Sequence, residues 1–194
     1  MSSDINMASN ALLLIGAEPI VDFDDPGAGA TVAKAIYPDT YTMILSEHPW
    51  SFAFKEQYLN QLSESPDPET NFKYAYQMPT DVIRVWAVLP HGNYTIVGDK
   101  VYSNDNKLLM RYVYKVAETR VPPHVVKAIE YKLASDFAIS VTEDFNLASI
   151  YENKFLMQLS KAKNIDSQGR PQQSIVDSPF VDVRLSGRSF GAFD

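Results

Sequence analysis

"SEHPWSFAFKEQYL", Ser46 to Leu59, is where the periodicity of this chain changes, and the fold class follows from that change. Before it, apolar residues recur every three or four positions, as on one face of a helix. After it they alternate, as on one face of a strand. Pro49 stands at the switch. The residue before a proline is pushed out of the α region, so His48 should close the helical part. Trp50, Phe52 and Phe54 then place aromatic side chains at every second position, and the spacing predicts a strand anchored through them. His48, Pro49, Trp50 and Phe52 therefore read as a structural junction that sets how a β unit leaves a helical one. With Glu47 alongside, the same cluster looks like catalytic material, yet each residue already has a structural reason to be there.

On the N-terminal side, Ile5, Ala8, Ala11, Leu12 and Ile15 recur at helical spacing, with Ser2 or Ser3 as N-cap and Gly16 as stop. The turn-rich "AEPIVDFDDPGAG" leads to a second helical stretch from Ala28 to Glu47. Val32, Ala35, Ile36, Ile44 and Leu45 are its apolar positions. Pro38 is expected to kink or split it, because proline removes a backbone donor.

On the C-terminal side, Phe72, Tyr74, Tyr76 and Met78 alternate with more polar neighbours, and "DVIRVWAV" (Asp81 to Val88) is a strong strand pattern. "YTIVGDKVYS" reads as a tight hairpin turning at Gly98-Asp99. "SNDN" then turns the chain into "KLLMRYVYKV". Helices return after "VPPHV", with Pro122 and Pro123 at the start and a stripe of Val126, Ile129, Leu133, Phe137 and Val141. Beyond "TEDFN", Leu147, Tyr151, Phe155, Leu159 and Ala162 make another stripe to Asp166. The expected fold is α+β. Residues 1–50 and 120–166 form a helical bundle of N- and C-terminal helix pairs, and residues 51–119 an inserted antiparallel β-meander or sandwich. An extended tail, 167–194, completes the chain.

That tail has ten Ser, Gly or Pro among its 28 residues, and its three Arg balance three Asp. It also keeps apolar residues, a composition suited to ordering on a partner surface. Phe180, Val181, Arg184, Leu185, Arg188 and Phe190 are its candidate partner-binding residues.

The composition excludes several kinds of chemistry. Without cysteine there is no disulfide, Cys-based zinc site or thiol catalysis. A net charge of −7 does not favour wrapping nucleic acid, which needs clustered Lys and Arg. The start lacks a cationic segment, and its apolar run "ALLLI" is too short for a signal peptide or a membrane span. A cytosolic chain with no membrane partner is expected. His48, His91 and His124 each fall at a helix end or turn, and none has a metal-ligand partner at i+4. "GRSFG" (Gly187 to Gly191) matches the letters of a nucleophile elbow, but three residues follow it and no histidine does. The acidic pairs Asp24-Asp25 and Glu143-Asp144 lie in predicted loops. "GAGA" (Gly27 to Ala30) lacks the lysine and preceding strand of a phosphate loop. No catalytic, cofactor-binding or metal residue is expected, and no cofactor.

Taken in order, "ALLLIGAEPIVDFDDP", "LSEHPWSFAFKEQYL", "YAYQMPTDVIRVWAV", "LLMRYVYKV" and "VVKAIEYKLASDFAISVT" resemble the tail tubular protein A family of short-tailed bacteriophages. The resemblance spans most of residues 8 to 165. It implies a structural head-to-tail adaptor in the virion tail: a ring of identical subunits, dodecameric where portals are twelvefold, assembled in the bacterial cytoplasm. Such a ring joins the portal protein to the tail nozzle, a tail tubular protein B-type partner, with tail fibres as a further possible neighbour. Double-stranded DNA passes through its channel without specific binding. The resemblance also implies that residues 1–50 with 120–166 build the ring, that 51–119 project outward or to tail components, and that 167–194 reach toward the portal. An acidic wall would let DNA slide. Two other readings stay open, a tail-associated hydrolase of cell-envelope polysaccharide and a head-completion connector of a long-tailed phage.

Overall fold

Helix α1 (Asp4–Leu14) starts where the Ser3 hydroxyl accepts the Asn6 amide at 3.3 Å, and it stops before Gly16 at φ +78°. The description comes from a computed structural model and covers residues 3–63, 66, 71–90 and 92–169. Helix α2 runs unbroken from Ala28 to Ser46 with Pro38 inside it. The expected split does not occur because Pro38 lies on the exposed side, where water can meet the carbonyl left without its donor. The buried face of α2 is also turned from the expected one. Ala30, Ala33, Tyr37, Tyr41, Ile44 and Leu45 face the core, while Ala35 is exposed. The two tyrosines pack as apolar bodies, which a count of aliphatic positions overlooks.

Helix α3 (Pro123–Ser140) has proline as its first residue, where the missing donor costs no intrahelical bond. It is the centre of the bundle, packing against α1, α2 and α4 (Phe145–Gln168). Its burial is accordingly wider than one stripe. Val125, Ala128, Ile129, Leu133, Ala134, Phe137 and Ala138 are all fully enclosed. The buried Glu130 is neutralised by Lys127 at 2.9 Å and takes the Asn10 amide at 2.8 Å, which ties α3 to α1.

Between the helix pairs lie two antiparallel sheets. One has the order β1-β7-β4, from Phe54–Tyr58, Leu109–Tyr114 and Val82–Leu89. The other has the order β2-β3-β6-β5, from Asn60–Gln61, Tyr74–Gln77, Lys100–Ser103 and Tyr94–Val97. Of the meander and sandwich expected for this region, the chain makes packed sheets: β7 pairs with two strands far from it in sequence. Alternation along β7 explains the layering. Val113, paired with Phe54, turns toward Trp50, Ala53 and the helices. Met110 and Tyr112 turn the other way, toward Tyr76 and Val101 of the second sheet. The β1-β7-β4 sheet is thus the middle layer between bundle and outer sheet. The β5–β6 hairpin turns at Gly98, φ +60°, a left-handed value that glycine adopts without strain.

Phe52 departs from the strand expected for it. Ser51–Ala53 form a 3₁₀ turn, and the strand begins at Phe54. The tertiary partner of this turn, described next, outweighs its alternating pattern.

Candidate functional site

The junction read from the sequence is a buried, hydrogen-bonded clasp. Trp50 is fully buried, and its indole N–H donates to the Ile44 carbonyl at 3.0 Å, fastening the chain back onto the last turn of α2. The His48 ring meets it edge-on at 4.9 Å, and Phe52 lies 5.9 Å from it. Pro49 separates the helix end from the turn, as its fixed φ requires. Across the junction stands Asp166, from the last turn of α4. Its Oδ1 accepts the Ser51 amide at 3.0 Å and the Ser51 hydroxyl at 2.6 Å, while His48 Nε2 lies 3.2 Å from Oδ2.

Serine, histidine and aspartate together invite comparison with a nucleophilic triad. In such a triad the imidazole stands between serine and carboxylate and takes the serine proton. Here the carboxylate stands between, and the Ser51 proton points to Asp166. The arrangement offers Ser51 no imidazole base. It satisfies a carboxylate that is only 7% exposed, which burial would otherwise penalise heavily. Lys163 and Glu47, 2.9 Å apart, add a second link between α4 and the end of α2.

The other carboxylates singled out in the sequence are used for turns and caps. Asp24 pairs with Lys34 at 2.5 Å. Asp25 accepts the amides of Val21 and Asp22 at 2.7 and 2.9 Å. The Asp22 amide first, then that of Val21, holds its carboxyl below the usual range. Glu143 occupies the left-handed region at φ 54°, and Asp144 caps α4 by accepting the Asn146 and Leu147 amides. The His124 carbonyl accepts from Gln158 at 2.8 Å. Among the described residues no group of three or more metal-ligating side chains converges, and no helix is long and apolar enough to cross a membrane. His91, the "GRSFG" stretch, and Phe180, Val181, Arg184, Leu185, Arg188 and Phe190 lie outside the described residues.

A cavity of about 260 Å³ opens beside the middle of α2, lined by Asp4, Phe23, Lys34, Tyr37, Pro38, Tyr41, Lys115 and Glu118. Aromatic rings form one wall, with Phe23 and Tyr37 at 5.9 Å and Tyr37 and Tyr41 stacked at 5.9 Å. The Tyr41 hydroxyl donates to the Val116 carbonyl at 2.8 Å. The Tyr37 hydroxyl has no hydrogen-bond partner among the described residues, although the side chain is only 5% exposed. Burial first, then the Glu118 carboxylate, pushes both phenols well above their ordinary pKa. Sequence reading missed this site. Tyr37 and Tyr41 sit one helical turn apart, which was a usable local signal. Asp4 and Glu118 arrive from remote elements and gave none.

The chain matches no known family model, and no curated protein matches it in sequence.

Proposed function

We propose that this protein is a structural component of a short-tailed phage virion, an adaptor whose helical part closes into a ring beneath the portal and continues the DNA channel toward the tail nozzle. The observation that carries this reading is the outer surface of α4. Phe145 and Met157 are 72% and 75% exposed, and Ile150 and Leu156 are about half exposed on the same helix. A helix that buries one stripe and still presents five large apolar residues, Ile165 being the fifth at 40%, is suited to being covered by a neighbour. In a closed ring each subunit uses two different patches, so apolar residues on different sides of one helix can meet different neighbours. The net charge of −7 supports a channel wall that lets phosphates slide past.

The test is assembly. Purified protein, alone at high concentration and mixed with the portal protein of the same virus, is imaged by negative stain and sized by sedimentation. Rings, or particles bound to portal, are the expected result. Phe145→Glu combined with Met157→Glu should abolish assembly and leave the melting temperature unchanged, since both side chains already face solvent. A chain that stays monomeric at every concentration and with portal would overturn the adaptor function.

A further inference from the structure

Among the described residues four strands border the two sheets, and three of them carry devices that keep an edge from pairing. Strand β1 presents Lys55 and Glu56, β2 is two residues long, and β4 is interrupted by two register shifts. Strand β5 reads Tyr94-Thr95-Ile96-Val97, without charge, proline or irregularity, and pairs among the described residues with β6 alone. The ladder sets its open side. The Met78 amide donates to the Asp99 carbonyl at 2.9 Å, which turns the odd-numbered backbone groups of β6 toward β3 and the even-numbered ones toward β5. Lys100 and Tyr102 therefore exchange bonds with Val97 and Thr95, and the backbone N–H and C=O of Tyr94 and Ile96 point outward. Ile96 lies opposite Val101, which lies opposite Tyr76, so Tyr94 and Ile96 share the face that packs on the middle sheet. Both are nevertheless 39% exposed. The inner layer stops one strand short.

We propose that residues 181–185 of the same chain add to the free edge of β5 as a further strand of the outer sheet. Val181-Asp182-Val183-Arg184-Leu185 is the one run beyond Gly169 in which apolar and charged residues alternate over five positions. On the edge it sets Val181, Val183 and Leu185 beside Tyr94 and Ile96 on the inner face, while Asp182 and Arg184 turn to solvent. Its backbone supplies partners for the outward groups of Tyr94 and Ile96. The valines suit a pleated strand, and five residues match an edge of four. Eleven residues separate Gly169 from Val181, a reach of up to roughly 36–40 Å. The outer sheet lies about 10 Å beyond the middle one and its strands are about 4.8 Å apart, so one chain is long enough to close on itself. Tethering holds the segment at about millimolar effective concentration, which favours it over the same segment of a second copy in dilute solution. The pairing concerns the β insert and not α4, so its failure leaves the ring test untouched.

Hydrogen exchange in the full-length protein, read at single amides by NMR at two well-separated concentrations, tests the pairing. The Ile96 amide faces the open edge, so on an uncovered β5 it exchanges as freely as a loop amide. With the segment in place it should exchange at least about tenfold more slowly, and equally so at both concentrations. Val183→Asp brings a carboxylate onto the inner face beside Tyr94 and Ile96 and should return Ile96 to the fast rate, whereas Val183→Ile should keep it slow. The Thr95 amide, bonded to β6, stays protected in every variant and reports that the hairpin is intact. Fast exchange of Ile96 in the unaltered protein overturns the proposal, as does slow exchange that Val183→Asp leaves in place. Protection that falls on dilution overturns it too, since a second copy then fills the edge.

Discussion

Replacing Trp50 tests the junction most directly. Its indole is fully buried between the end of α2, the 3₁₀ turn and the middle sheet, so Trp50→Ala removes contacts that all three share. A buried tryptophan covers roughly 150–250 Å², which at about 25 cal/mol per Å² is about 4–6 kcal/mol of apolar burial. Alanine retains a small part of that, and truncations of buried aromatics cost about 3–5 kcal/mol. The indole hydrogen bond to Ile44 adds little to this. That carbonyl also accepts the Glu47 amide at 3.3 Å, so its loss leaves no orphaned acceptor. The expected cost is about 4 kcal/mol, a large share of the about 5–15 kcal/mol that holds a typical domain folded. Trp50→Phe keeps one ring in place and should cost about 2 kcal/mol.

Urea unfolding followed by circular dichroism measures both, read as a fall in midpoint at constant slope. A second arm uses fluorescence. Trp86, half exposed, is the other tryptophan, so the Trp86→Phe protein reports Trp50 alone. Its emission should be blue-shifted and resist an aqueous quencher. A loss below about 1 kcal/mol for Trp50→Ala, or equal losses for Ala and Phe, would refute the packing account.

Asp166→Ala strands the Ser51 and His48 groups that it holds and should cost about 2–4 kcal/mol in the same unfolding assay, with Asp166→Asn near half of that because an acceptor for Ser51 remains. A neutral alanine variant would show that the clasp contributes nothing. Alkaline titration gives another check. Burial, then the neighbouring Asp81, pushes the Tyr112 phenol up to about 12, and burial raises Tyr37 and Tyr41 further. The fold thus keeps these phenols neutral while the unfolded chain ionises near its ordinary value of 10. Their contribution to stability is complete below that pH and declines as pH rises above it. Ultraviolet titration should show these three phenols, and that of Tyr76, which burial also raises, ionising late, together with unfolding. If all eleven tyrosines ionise near pH 10 with the circular dichroism intact, these side chains are not packed as described.

Much of the fold was legible because its signals are local. Pro49 restricts His48 whatever surrounds it, and α2 duly ends at Ser46, within two residues. The α4 stripe of Tyr151, Phe155, Leu159 and Ala162 is buried as its spacing required. Where a residue serves two preferences, the local signal failed. Phe52 has the alternation of a strand, but the Asp166 carboxylate gathers the Ser51 amide and hydroxyl and bends that stretch into a turn. Tyr37 was passed over because a tyrosine reads equally as surface or core until its neighbours are known.

From its sequence alone this protein is an α+β chain with helix pairs on either side of a β insert and a tryptophan-centred joint where they meet. Periodicity and proline impose those features on a few adjacent residues at a time. The clasp joins Ser51 to a carboxylate 115 positions away, and the cavity gathers Asp4, Tyr37 and Glu118 from three separate elements. The pairing of β7 with β1 and with β4 spans shorter but still non-local gaps, as between Phe54 and Val113 or Val82 and Tyr114. Such contacts depend on which buried surfaces satisfy one another once the whole chain has closed, so only the tertiary structure could decide them.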